Sequence, residues 1–173
     1  DGAGRLGPID RVGLPGRIRA VAAADLDADG LVDLVAADPG AGSILLVRQV
    51  APRAFVPTAA FEVDDIVREL VSGDLTGDLT GDGRHDVLVI RFGGGLGLVS
   101  ADGATASYRE LPAVPPGAMA TTVAADVDGD GDRDLVAVRS TLAAPVAIAR
   151  NDGHGTFTAF KASGSPLRGR DVL

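Results

Sequence analysis

The sequence has no cysteine and no tryptophan, a single methionine, two histidines, and only 3% aromatic residues among its 173 positions. Without cysteine there is neither a disulfide nor a thiolate zinc site, although this leaves the cellular compartment open. With so few aromatics, a core has to be built from Val, Leu, Ile and Ala, a composition that suits short strands. The two histidines, His85 and His154, lie in Gly- and Asp-rich stretches that read as exposed turns, so they offer little to acid–base chemistry. There is no Gly-x-Ser-x-Gly elbow, phosphate loop or His-rich metal motif, and Gly93 to Gly97 reads as a turn between strands rather than a nucleotide cradle. No apolar run approaches the roughly 20 residues that span a bilayer. The start at Asp1 shows neither an initiator Met nor a signal-peptide pattern, which reads as a mature or excised piece.

An apolar content of 46% is enough for a globular core. Acidic residues number 24 against 16 basic ones, a net charge of −8, which argues against a nucleic acid or an anionic membrane as partner. The excess acid needs another purpose.

That purpose shows in a repeat. Ala23-Ala24-Asp25-Leu26-Asp27-Ala28-Asp29-Gly30 recurs as Thr76 to Gly83 and as Ala124 to Gly131, with a shared Asp-x-(Asp/Thr)-x-Asp-Gly-x-x-Asp core. The leading aspartates Asp25, Asp78 and Asp126 are 53 and then 48 residues apart. The longer interval contains a tandem Gly-Asp-Leu-Thr, which also makes Asp74 a rival to Asp78 as leader of the second loop. A period near 50 fits a four-stranded propeller blade and is too long for a β-helix coil.

Strand signals recur in register. One apolar stretch precedes each loop (Ile18–Ala24, Leu70–Ser72, Ala120–Ala125) and another follows it (Leu31–Ala37, Val87–Phe92, Leu135–Val138). A third comes after a Gly- or Pro-containing turn (Ile44–Val50, Leu96–Ser100, Pro145–Arg150), and a fourth near Ala54–Val63, Thr105–Val114 and Thr156–Ala162. The expected fold is all-β: about three four-stranded antiparallel propeller blades in one partial domain. The units are 16–64, 65–115 and 116–162, with 1–15 ending a preceding blade and 163–173 beginning a following one. Three blades fall short of the usual closure by about 4 to 8, so further blades are expected from the same protein or from a homo-oligomer.

Calcium takes 6 to 8 oxygen ligands, and alternate side chains of a tight loop can converge on one point while a central glycine permits the reversal. The first loop offers Asp25, Asp27, Asp29 and Asp33 with the carbonyl of Leu31, Gly30 making the turn. The second offers Asp78, Thr80, Asp82 and Asp86 with the carbonyl of Arg84. The third offers Asp126, Asp128, Asp130 and Asp134 with the carbonyl of Asp132, around Gly131. A hydroxyl replaces one carboxylate in the second loop and Arg84 lies nearby, so its affinity should be lowest. An EF-hand would need Glu at position 12, where Ala36, Val89 and Ala137 stand inside apolar runs. Asp and Gly also favour plain turns. Three copies in one register, holding half of all the acidic residues, outweigh that reading. About three calcium ions would bring the charge from −8 to about −2, and pinning a turn is the expected role rather than chemistry.

These loops, the following Asp33-Leu34-Val35-Ala36 and Asp134-Leu135-Val136-Ala137, and Asn151-Asp152-Gly153-His154-Gly155-Thr156-Phe157 resemble the FG-GAP or VCBS repeat family. Its calcium-bearing blades occur in integrin α-subunit propellers, lectin propellers and bacterial exported proteins. The resemblance implies a non-catalytic, calcium-stabilised binding or adhesion platform, secreted or at the cell surface or periplasm, with a protein or carbohydrate ligand. The alternative it implies is an accessory propeller portion of a larger secreted lyase or hydrolase. A sugar site favours aromatic platforms, and Tyr108 and the five phenylalanines are mostly expected in the core.

Overall fold

The computed structural model describes residues 11–72, 78–103, 105–112, 119–139 and 146–162. Among them there is no helix. Twelve strands form three antiparallel sheets of four, each in simple sequential order. The first contains β1 (Ala20–Ala24), β2 (Asp33–Asp38), β3 (Ser43–Ala51) and β4 (Ala54–Glu62). The second contains β5 (Val67–Val71), β6 (Val87–Arg91), β7 (Leu96–Asp102) and β8 (Thr105–Leu111). The third contains β9 (Met119–Ala125), β10 (Asp134–Arg139), β11 (Val146–Ala149) and β12 (Lys161–Ala162). We call them blades 1 to 3.

The middle blade explains why its strands read as unbroken apolar runs. Side chains alternate across a strand, and both faces of this sheet are covered. Val87, Val89, Val99 and Ala101 face blade 1, meeting Val35, Ala37, Ile44 and Leu46. Leu88, Ile90, Leu96 and Leu98 face blade 3, meeting Leu135, Ala137, Ala147 and Ala149. Every one of those eight blade-2 residues is buried, and each aliphatic one stabilises the stack by about 1.5–3 kcal/mol relative to exposure. Small alanines on blades 1 and 3 oppose larger residues on blade 2, which lets the sheets approach. The first strands of blades 1 and 2 lie side by side, β1 beside β5, and Ser72 Oγ donates to Ala23 O at 3.0 Å.

The strand boundaries differ from the sequence reading in instructive places. β2 begins at Asp33 rather than Leu31, because the Leu31 N–H is taken by Asp29 Oδ1 within the loop. β5 begins at Val67 rather than Leu70. The last strand of blade 3 shrinks to Lys161–Ala162, with an isolated bridge from Asn151 to Phe157 standing in for its earlier part. The glycine turn closes at Gly95, so Gly97 belongs to β7, where the Tyr108 ring fills the space over it. Phe92 is 65% exposed rather than in the core, whereas Phe157 and Phe160 are buried. Asp74, residues 113–114 and Pro145 lie outside the described residues.

Candidate metal centres

Each of the three loops links the first and second strands of a blade, and all three are built the same way. The glycine at loop position 6 donates to the leading carboxylate: Gly30 to Asp25 at 2.9 Å, Gly83 to Asp78 at 2.6 Å, Gly131 to Asp126 at 3.1 Å. The residue at position 7 donates to the carboxylate at position 5: Leu31 to Asp29, Arg84 to Asp82, Asp132 to Asp130. These bonds wind the chain tightly and require left-handed backbone at positions 4 and 6. Glycine supplies it at Gly30, Gly81, Gly83, Gly129 and Gly131, while Ala28 adopts φ 60° without that freedom. The sequence reading assigned the turn to position 6 alone.

This winding brings carboxylates together. Asp25, Asp27 and Asp29 offer oxygens within 4.8 Å of one another, and so do Asp126, Asp128 and Asp130. In the second loop Thr80 takes the middle place, and its hydroxyl lies 3.4 Å from Asp78 Oδ1. Arg84 reaches Asp82 at 3.2 Å and Asp102 at 3.3 Å, so that loop gathers fewer negative charges. Asp78 holds the leading place there, accepting from Thr80, Gly81, Asp82 and Gly83.

The last aspartate of each loop stands apart from these groups and is buried against backbone. Asp33 accepts from Gln49 N and Arg48, Asp86 from Leu79 N and Thr80 N, and Asp134 from Asn151 N and Val127 N. Burial raises the Asp33 carboxyl above its ordinary value despite these bonds. It pushes Asp86 up to about 6, with the charges of Asp82 and Asp78 adding to the effect. A negative charge at these places needs a cation nearby.

The donor set fits a hard cation such as calcium: every side-chain ligand is oxygen and the carboxylates already converge. One buried oxygen, Asp27 Oδ1, has no hydrogen-bond partner. Such an orphaned acceptor is costly unless a ligand meets it.

Two features were missed from sequence. Arg48 in β3 reaches Asp27 and Asp33, and Arg150 after β11 reaches Asp128. Pairing of the third strands with the second would have exposed them, since Val47 and Ala149 face Leu34 and Leu135 and each is followed by Arg; blade 2 has Ser100 there. The second feature is that the loops form joints between blades. Asn151 Nδ2 donates to Leu79 O of loop 2 at 3.0 Å, and Arg109 holds Gly155 O at 2.6 Å. The Asn-Asp-Gly-x-Gly turn of blade 3 thus seats on loop 2. Lined by Asp78, His85, Asp132, Asn151 and Gly153 among others, a polar groove of about 430 Å³ runs along this joint. Both histidines are exposed there or beside it.

Sequentially ordered four-stranded antiparallel sheets, stacked face to face with an acidic loop between their first and second strands, define an array of propeller-type blades that is not closed on its own. Residues 78–137, from the leading aspartate of loop 2 into β10, match the family model of the FG-GAP-like repeat. Such repeats are typically non-catalytic modules and often bind calcium. No curated protein gives a significant match to the chain.

Proposed function

We propose that this chain is a calcium-stabilised propeller module that serves as a binding platform outside the cytoplasm. The observation that carries the calcium reading is the common geometry of the loops: the same backbone bonds in all three and converging carboxylates in loops 1 and 3. Calcium there neutralises carboxylates that otherwise repel one another and pins the turn between two strands. Loop 2, with Thr80 and the Arg84 pair, is the weakest of about three sites.

Open, partly exposed loops of this kind suit the affinities of extracellular calcium modules, about 10⁻⁴–10⁻³ M, which are filled only where calcium is abundant. This supports a secreted, surface or periplasmic location. The ligand of the platform is a protein or a carbohydrate.

A further blade is expected to pack on blade 3. The apolar residue at loop position 2 is fully buried in blades 1 and 2, as Leu26 and Leu79, but its counterpart Val127 is 39% exposed. Val123, Val136 and Ile148 are likewise only half-buried on the outer face of blade 3. That blade comes from the same protein or from a second copy.

Calorimetric titration of the chelator-treated chain with calcium chloride tests the reading. About three sites are expected, and Asp25→Asn and Asp126→Asn should each remove one. Absence of any calcium heat in the wild-type chain would refute it.

A further inference from the structure

Arg48 is a cation enclosed by the first loop. Its side chain is 8% exposed. Nη1 lies 2.6 Å from Asp27 Oδ2 and 2.8 Å from Asp33 Oδ2, while Nη2 donates to Gly103 O in the β7–β8 turn of blade 2 at 2.9 Å. The guanidinium fork therefore joins three things at once: a carboxylate of the acidic trio, the buried carboxylate that closes the loop, and the backbone of the next blade. Because Oδ2 of Asp27 is held by Arg48, its other oxygen, Oδ1, is the atom left over. That oxygen is buried and has no hydrogen-bond partner, while Asp27 still takes its place in the trio.

Two roles are open to such an arginine. It can compete with a metal for the loop's negative charge, or it can orient a ligand carboxylate while sharing that charge. The orphaned oxygen favours the second role. Were Arg48 the loop's sole cation, Asp27 Oδ1 would have no protein partner. With an ion on Oδ1 both oxygens are satisfied, and the four aspartates of the loop carry enough negative charge for a divalent ion and a guanidinium together. Partners of ligating groups that fix their orientation commonly hold 10–100-fold of metal affinity.

We infer that Arg48 is a positioning residue that presents Asp27 to calcium in loop 1 and, through Gly103, couples that ion to the joint between blades 1 and 2. This rests on the calcium reading proposed above. Blade 3 provides an internal contrast. Arg150 stands at the matching place but is 51% exposed and, among the described residues, pairs with Asp128 alone, so it adds little. Blade 2 has Ser100 and Thr80 at the matching pair of positions, and there the coupling is absent.

The test compares the full-length wild type, Arg48→Met, Arg48→Lys and Arg150→Met by calorimetric titration with calcium chloride, together with amide hydrogen exchange with and without calcium. In Arg48→Met, one site should weaken by about 10–100-fold, and calcium should no longer slow exchange in residues 99–103. Arg48→Lys retains the charge and guards against misfolding of the methionine variant. It should keep most of the affinity but lose the calcium-dependent protection of those residues, because one ammonium cannot span all three acceptors. Arg150→Met should change affinity by less than about fivefold. Unchanged or tighter calcium binding in Arg48→Met would overturn the positioning role while leaving calcium binding intact. A wild type whose calcium stoichiometry is unaffected by Asp25→Asn would instead show that loop 1 holds no ion, and the calcium reading of that loop would fail with it.

Discussion

At the scale of single residues, the closing aspartates carry the sharpest electrostatic consequences. Asp86 is raised from 3.8 to about 6, chiefly by burial. The folded chain therefore holds this proton more tightly than the unfolded chain, and the stability that protonation contributes is full below about pH 4 and lost as pH rises through 6. In chelator, stability measured by urea unfolding should increase as pH falls from 7 to 5, and the added stability from calcium should shrink over the same window. Asp38 and Asp152 act in the opposite sense: backbone N–H donors, foremost Arg17 for Asp38 and His154 for Asp152, hold both carboxyls below their ordinary value. Their contribution is lost only in stronger acid, below the ordinary carboxylate range. Asp33→Ala strips Arg48 of one of its two carboxylates in a buried setting and should cost about 3 kcal/mol in urea denaturation. Ala28→Gly should stabilise by up to about 1 kcal/mol by the same measurement, since it relieves a left-handed backbone that alanine tolerates poorly.

At the scale of elements, the loops were legible because their chemistry is local. Alternate aspartates and a central glycine declare a wound, oxygen-rich turn, and the apolar runs on either side declare buried strands. The joints between blades were not legible. Asn151 and Leu79 are 72 positions apart, and nothing in the spacing of either signals the other. The short β12 escaped for a related reason: Thr156 to Phe160 carries strand-like residues, but Asn151 and Phe157 form only an isolated antiparallel bridge, flanked by the bond from Thr158 N to Arg150 O, before pairing resumes at Lys161. A comparison of two glycines tests the joint. Gly81 and Gly30 both have positive φ, but a Cβ at Gly81 would overlap the Gly153 carbonyl of the next blade, whereas Gly30 faces open space. Gly81→Ala should therefore lower the unfolding free energy by about 3 kcal/mol and Gly30→Ala by about 1 kcal/mol. Equal costs would mean that the turn does not seat on loop 2.

At the scale of the molecule, three sheets share two apolar interfaces, and blade 2 supplies one face to each. The all-β fold and its repeat could be read from the sequence because a doubly covered strand leaves an unbroken Val-Leu-Val-Ile run and the acidic loop marks where each blade turns. Less legible was how strongly the loops belong to the assembly: Leu26 and Leu79 are core residues set inside acidic loops. Calcium on such loops should stabilise contacts well beyond the turn itself. The most direct measurement is thermal unfolding in millimolar calcium and in excess chelator. Millimolar calcium at sites of about 10⁻⁴–10⁻³ M adds roughly 0.4–1.4 kcal/mol per site, so with about three sites the midpoint should rise in calcium by at least about 2 °C. Identical midpoints in calcium and chelator would contradict the account, leaving the loops as hydrogen-bonded turns and nothing more.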